Sequence, residues 1–369
     1  MPFADELIGD HAAKALVTAI RAAAPGTPLP TLRAAAKDLT GRALRERSDL
    51  LRDALLADLP GDYAAFAGTI RAAQQGSPPF EGWLIWPVTS AVATRAITDG
   101  SSGAFDDAVR LLAELTPRLT SEFALRVLLD HDLDRTLAIV RTWTGSPDEH
   151  VRRLASEGTR PFLPWARRVP ALLARPEETL PVINALYRDE SEYVRRSVAN
   201  HLNDLSRQQP ELTVRTAAAW LAAPDQNTPW LVRHGLRTLI KKGHPGALGL
   251  MGFAPATVEV TGPALAAAEV PFGGELAFTA TVVNTGTAPA TLAIDYIVHH
   301  RKATGKQSGK TFKLTTATLA PGRKLELSRR HSFREITTRR YHPGVHAVEL
   351  QVNGVQHGRT DFTLLPPTG

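Results

Sequence analysis

The chain has 369 residues, 43% hydrophobic and 22% charged, enough for two folded domains with their own cores. It has no cysteine, which excludes disulfides, thiolate metal sites and a cysteine nucleophile; it also shows no 18-residue apolar run and no apolar stretch behind Met1, so neither a membrane span nor a signal peptide is expected. The net charge of +6 is unevenly spread, with −4 over residues 1–140 and +5 over each of 141–254 and 255–369, the distribution expected if the later two-thirds meet a polyanion, although a solvated basic surface gives the same count.

Residues 1–254 read as helices. Leu, Ala and Val recur at three- and four-residue spacing, as in Leu50, Leu51, Ala54 and Leu55, or Ala108, Leu111, Leu112 and Leu115. Breaks rich in Pro and Gly fall at Pro25 to Pro28, Pro60-Gly61, Gly76 to Pro79 and Gly145 to Pro147. A repeat then emerges. The run Val151-Arg152-Arg153 returns as Val194-Arg195-Arg196 and, weaker, as Val232-Arg233-His234, at intervals of 43 and 38 residues. That period predicts a HEAT-like array of helix pairs, with an earlier unit around Glu122 to Arg126. The repeated arginines form a ladder, which either grips a ligand or bridges to acids of the neighbouring repeat.

Within this region the densest segment runs from Val151 to Arg168. Arg153 and Glu157 stand four apart on a helix that Gly158 is expected to end. Spacing alone allows a plain salt bridge. It equally allows a carboxylate held by an arginine at the lip of a groove, beside Trp165, whose approach Pro161 and Pro164 stiffen.

Residues 255–369 change character after a junction at Met251 to Pro255. Alternation appears from Leu276 to Val282, and further strands are predicted at 291–301, 311–314, 324–333 and 346–352, with turns at Asn284 to Gly286, Pro321-Gly322 and Pro343-Gly344. About seven short strands predict an immunoglobulin-like β-sandwich. The adjacent His299 and His300 point to opposite faces of a strand and cannot share a metal ion. Gly305 to Thr311 is one residue short of a phosphate-binding loop and lies between strands, so a hairpin turn is expected there. Local basic charge gathers at Arg329, Arg330, Arg334, Arg339 and Arg340.

The stretch Leu154 to Trp165 resembles the AlkC family of DNA alkylation repair proteins. Agreement extends to Met1 to Leu7, Thr120 to Arg126, Tyr193 to Asp204 and Val232 to Gly243, and to the C-terminal module of one branch of that family; Phe162 stands where the motif otherwise has Arg. The resemblance implies a glycosylase that removes cationic N-alkylated bases from double-stranded DNA without flipping them, as a monofunctional enzyme needing no cofactor, metal or obligate protein partner. It implies Glu122 and Glu157 as active-site acids, Arg153 as their neighbour and Trp165 as an aromatic wall. A cytoplasmic, bacterial location follows from that role. Arg152, Arg160, Arg195, Arg196, Arg233, Lys241 and Lys242 in the first domain, with Arg339 and Arg340 in the second, are the expected DNA contacts. The competing readings are a noncatalytic HEAT scaffold and a binder of alkylated DNA.

Overall fold

The computed structural model describes residues 4–77, 79–337 and 339–367. Met1 to Phe3, at the head of one resembling stretch, and Pro78, in one expected break, lie outside the described residues. The chain folds into two compact units: one runs to Arg207 and includes Trp220–Gly235, and the other comprises Gln208–Ala219 and everything from Leu236 onward.

The first unit is helical. A series of its helices stacks in chain order: Leu44–Asp58, Ile85–Asp99, Glu122–His131, Glu149–Gly158, Glu192–Leu205 and Thr228–Gly235, each packed on the next. Side-chain caps start several helices. Asp132 accepts from the Arg135 amide and Asp148 from the His150 amide, each satisfying an amide at a helix start that has no partner within its helix. Two glycines set how closely the stack closes. A Cβ on Gly158 would lie 2.5 Å from Leu125 Cδ2, and one on Gly235 would lie 2.7 Å from Leu202 Cδ2. The helix ends at Gly158 as expected, but without the left-handed turn that a glycine terminator supplies; a larger residue there would have to push the Leu125 side chain of the preceding helix aside.

The ladder arginines are part of this architecture. Arg152 donates to both carboxylate oxygens of Asp189 and to the carbonyls of Ser146 and Pro147. Arg195 repeats the second half of that pattern, donating to the carbonyls of Asp189 and Glu190. Both are buried. Their guanidiniums pin the loop before their own helix, which removes Arg152 and Arg195 from the set available to phosphate.

In the second unit, the helix Pro245–Leu250 follows His244, whose Nε2 is 3.0 Å from Glu211 Oε1. Among the described residues, eight strands then form two sheets: β1 (Val258–Leu265), β2 (Glu269–Val270), β3 (Glu275–Asn284), β4 (Ala290–Arg301), β5 (Gln307–Leu319), β6 (Lys324–Ser332), β7 (Gly344–Val352) and β8 (Val355–Leu364). The sheet orders are β1-β3-β6 and β2-β8-β7-β4-β5. On β3 the predicted alternation holds, with Leu276, Phe278, Ala280 and Val282 turned inward onto Tyr296, Val348, Leu350 and Phe362 or onto Leu292 and Ile294. His299 reaches Glu349 on one face of β4 and His300 is buried on the other. The residues resembling a phosphate loop form the β4–β5 hairpin turn and the start of β5. Among the described residues, no helix is long and apolar enough to cross a membrane.

Candidate active site

Three neighbouring elements bring the expected acids together. Glu122 opens the helix Glu122–His131, where the uncompensated amides of a helix start favour a carboxylate. Arg153 and Glu157 share one face of Glu149–Gly158. Tyr193 and Ser197 lie one turn apart on Glu192–Leu205.

Arg153 is the hinge of the arrangement. Its Nη1 lies 3.1 Å from Glu122 Oε2 and its Nη2 3.6 Å from Glu157 Oε1, while its guanidinium sits 4.6 Å from the Tyr193 ring centre. All three charged side chains are at least four-fifths buried. Burial works against the Arg153 charge, but Glu157 and Glu122 outweigh it and hold the group above its ordinary range. For Glu122 the balance goes the other way: burial, with Glu157 adding to it, raises its pKa above the usual carboxylate value despite Arg153 and the Thr120 hydroxyl, which donates at 2.9 Å.

Glu157 is held from behind. Arg160 Nη1 donates to its Oε1 at 2.6 Å and Ser197 Oγ to its Oε2 at 2.6 Å, and Arg160 Nε in turn donates to Asp204 at 2.9 Å. Arg160 is therefore withdrawn from phosphate as well; it is buried between two acids. His201, fully buried, has its pKa pushed down to about 3 by that burial, so it is neutral when it bridges the Ser156 carbonyl and the Thr179 hydroxyl.

Between the ends of these helices lies a cleft of about 230 Å³, lined by Glu122, Glu157, Trp83, Phe123, Leu163 and Trp165. Trp86 stacks on Phe123 from behind at 4.2 Å. Trp165 is half exposed and takes a left-handed backbone, φ 60°, which costs a non-glycine residue on the order of 1–3 kcal/mol. Arginines fix the segment that carries it. Arg126 donates to the carbonyls of Gly158, Arg160 and Arg167, Arg168 to that of Leu163, and Arg45 to that of Trp165 itself. Phe162, the departure from the motif, offers its ring to Arg168 and Arg207 at 5.2 and 4.7 Å.

The structure thus brings Glu122, Glu157 and Trp165 to the wall of one cleft and sets Arg153 between the two acids. Trp83, Phe123, Thr120, Tyr193, Ser197 and Asp204 complete the surroundings and were not singled out from the sequence. Ser197 had a signal: it occupies the repeat position of buried Leu154, so a hydroxyl stands where the repeat calls for an apolar side chain. Of the expected DNA contacts, Arg233, Lys241, Lys242 and Arg340 are exposed, and Arg196 is exposed and paired to Glu192 on its own helix. Arg339 donates to His300 Nε2 at 2.6 Å, beside a basic hollow of about 360 Å³ that Arg301, Lys302, Lys310 and Arg340 also line.

Comparison with known proteins agrees with this picture. The family model described as DNA alkylation repair enzyme matches residues 114–239, and that of the YhaZ C-terminal Ig-like domain matches residues 259–366. The uncharacterized protein YhaZ of Bacillus subtilis (strain 168) is 32% identical over 335 residues, 90% of each chain. The structure of Pseudomonas fluorescens alkylpurine DNA glycosylase AlkC bound to DNA containing an abasic site analog superposes with a TM-score of 0.84 at 33% identity, over 99% of this chain and 100% of that one. With two acids on one arginine in the segment the repair-enzyme model matches, an immunoglobulin-like sandwich after it, and both relatives similar over at least nine-tenths of its length, the chain belongs to the AlkC family of DNA alkylation repair proteins.

Proposed function

We propose that the chain is a monofunctional DNA glycosylase that hydrolyses the N-glycosidic bond of cationic N-alkylated bases in duplex DNA. Glu122 and Glu157 are its active-site acids, Arg153 orients them and Trp165 faces the lesion. The carrying observation is the pair of buried carboxylates on one guanidinium, opening on a cleft walled by aromatic rings. An N-alkylated base is already positively charged and leaves without being protonated, so the chemistry requires negative charge near an oxocarbenium-like sugar and a placed water. Aromatic faces add attraction for the cationic base.

Residues 1–254 carry the catalytic work in this reading, and residues 255–369 add DNA contacts through Arg340 and its basic hollow. Arg233, Lys241 and Lys242 supply phosphate contacts in the helical part. The enzyme acts on the chromosome of a bacterial cytoplasm.

The test is release of free base from methylated duplex DNA under single-turnover conditions. The wild-type chain should release methylated bases without cutting the strand, and Glu157→Gln should be slower by about 10²-fold or more, with DNA affinity little changed. A wild-type chain that binds methylated duplex and releases nothing is a scaffold or a damage binder, and the proposal fails.

A further inference from the structure

The two acids are built differently, and the difference assigns them different work. Both carboxylate oxygens of Glu157 accept from fixed donors. Oε1 takes Arg160 at 2.6 Å, with Arg153 3.6 Å away, and Oε2 takes Ser197 at 2.6 Å. Arg160 is fixed in turn by Asp204, and Ser197 lies 3.0 Å from the Ser156 hydroxyl. Glu122 is held through one oxygen only: Thr120 and Arg153 both donate to Oε2. Among the described residues nothing pairs with Glu122 Oε1, and Glu122 lines the cleft.

We propose that Glu122 Oε1 takes the proton of the attacking water, while Glu157, fixed by Ser197 and by the Asp204–Arg160 pair, acts through its charge alone. This rests on the glycosylase reading above. In the step, the bond between the sugar C1′ and the base nitrogen breaks and its electron pair leaves with the base, which departs neutral. The water oxygen bonds C1′, one water proton passes to Glu122 Oε1, and it is then released to solvent. The charges balance, because the cationic base loses its charge and one proton is freed.

The reasoning is chemical. A carboxylate with a fixed donor on each oxygen is held rigidly and has no oxygen left open to a water, which suits it to stabilising developing positive charge on the sugar. A carboxylate with one open oxygen, in surroundings that favour its protonated form, is a better base near neutral pH. The charged and titratable groups facing Glu122 are Arg153 and Glu157 from the next helix and Tyr193 from the one after. Ser197, Arg160 and Asp204 are positioning residues in this scheme. None lines the cleft.

The experiment is single-turnover base release from methylated duplex DNA between about pH 5 and 9, corrected for spontaneous loss, with DNA affinity and thermal midpoint measured for every variant. The wild-type rate should rise with pH to a plateau as Glu122 ionises. Glu122→Gln should be slower by about 10²-fold and lose that rise. Glu157→Gln should be slow and keep it. Ser197→Ala should lower the plateau about tenfold, the effect of removing one hydrogen bond to a charged group, with DNA affinity and the position of the rise unchanged. A rise that survives in Glu122→Gln and vanishes in Glu157→Gln reverses the roles and overturns the proposal. A wild-type plateau in Ser197→Ala removes Ser197 from the positioning set. A wild-type protein that releases no base refutes the glycosylase reading itself, which is a different result from either.

Discussion

Glu122→Gln should make the protein more stable while disabling it. The carboxyl is buried, and burial raises its pKa above the value it has in the unfolded chain even after the attraction of Arg153 is counted. At a pH below the unfolded value the group is protonated in both states and costs the fold nothing. As pH rises from that value toward the raised folded one, the unfolded chain gives up its proton first and the fold loses stability. Above the folded value the loss is complete and constant, and at any pH above the unfolded value part or all of it is already present, whether or not the folded group has ionised. Glutamine has nearly the same shape and no charge to bury. It still accepts from Thr120, and Arg153 keeps Glu157 and the Tyr193 ring. Relief of a strained active-site charge is worth on the order of 1 kcal/mol, or roughly 2–4 °C in thermal midpoint for a unit of this size. Thermal melts of both proteins from about pH 3.5 to 8 check it: the midpoints should coincide at the acid end and separate, with the variant higher, as pH rises. A variant that melts at or below the wild type at pH 8, or a gap that stays constant with pH, refutes the claim that this carboxylate is held against its preference.

The two classes of arginine should separate cleanly. Arg152→Ala leaves the Asp189 carboxylate, its side chain buried, with the Ser191 amide but no cation, and should cost about 3 kcal/mol in urea melts with the salt dependence of DNA binding unchanged; Arg233→Ala or Arg340→Ala should leave the melt alone and lower the salt slope by about 0.9 for each phosphate no longer neutralised. Trp165→Gly removes the ring and the left-handed strain together. The midpoint should move by about a degree or less, because relief of strain offsets the greater freedom of an unfolded glycine, while base release slows about tenfold through loss of the cation–π attraction.

Much of the fold was legible because hydrophobic period is a local signal. The three- and four-residue spacing gave the helices, and the alternation from Leu276 to Val282 gave β3 with its inward face correct. Three strands escaped. β1 alternates only over its first four residues before Gly262-Pro263 interrupts it, β8 carries Gly358 and a partly exposed polar run, and β2 has two residues held by pairing with β8, far along the chain. β5 was seen only at its centre, since as the last strand of its sheet it leaves much of its length exposed and polar.

The site was half legible, and the arginines explain why. Arg152 and Arg153 are neighbours in the same repeat motif, yet one closes a loop onto Asp189 and the other lies between two acids at a cleft. Sequence spacing could not separate them, because which face of a helix meets the next repeat depends on how the stack is wound. The same limit applies to Arg160. Counted with the basic residues, it was assigned to phosphate; its three-residue distance from Glu157 and the distant Asp204 place it inside the wall of the site instead. Spacing marked Arg153, Glu157 and Trp165, and the family resemblance added Glu122 and implied a role for each. What holds Glu157 in place is written in another register, as a polar residue at an apolar position of a repeat. Ser197 against Leu154 is such a case, and comparing a chain's repeats with each other for that mismatch finds positioning residues that neither charge nor motif reveals.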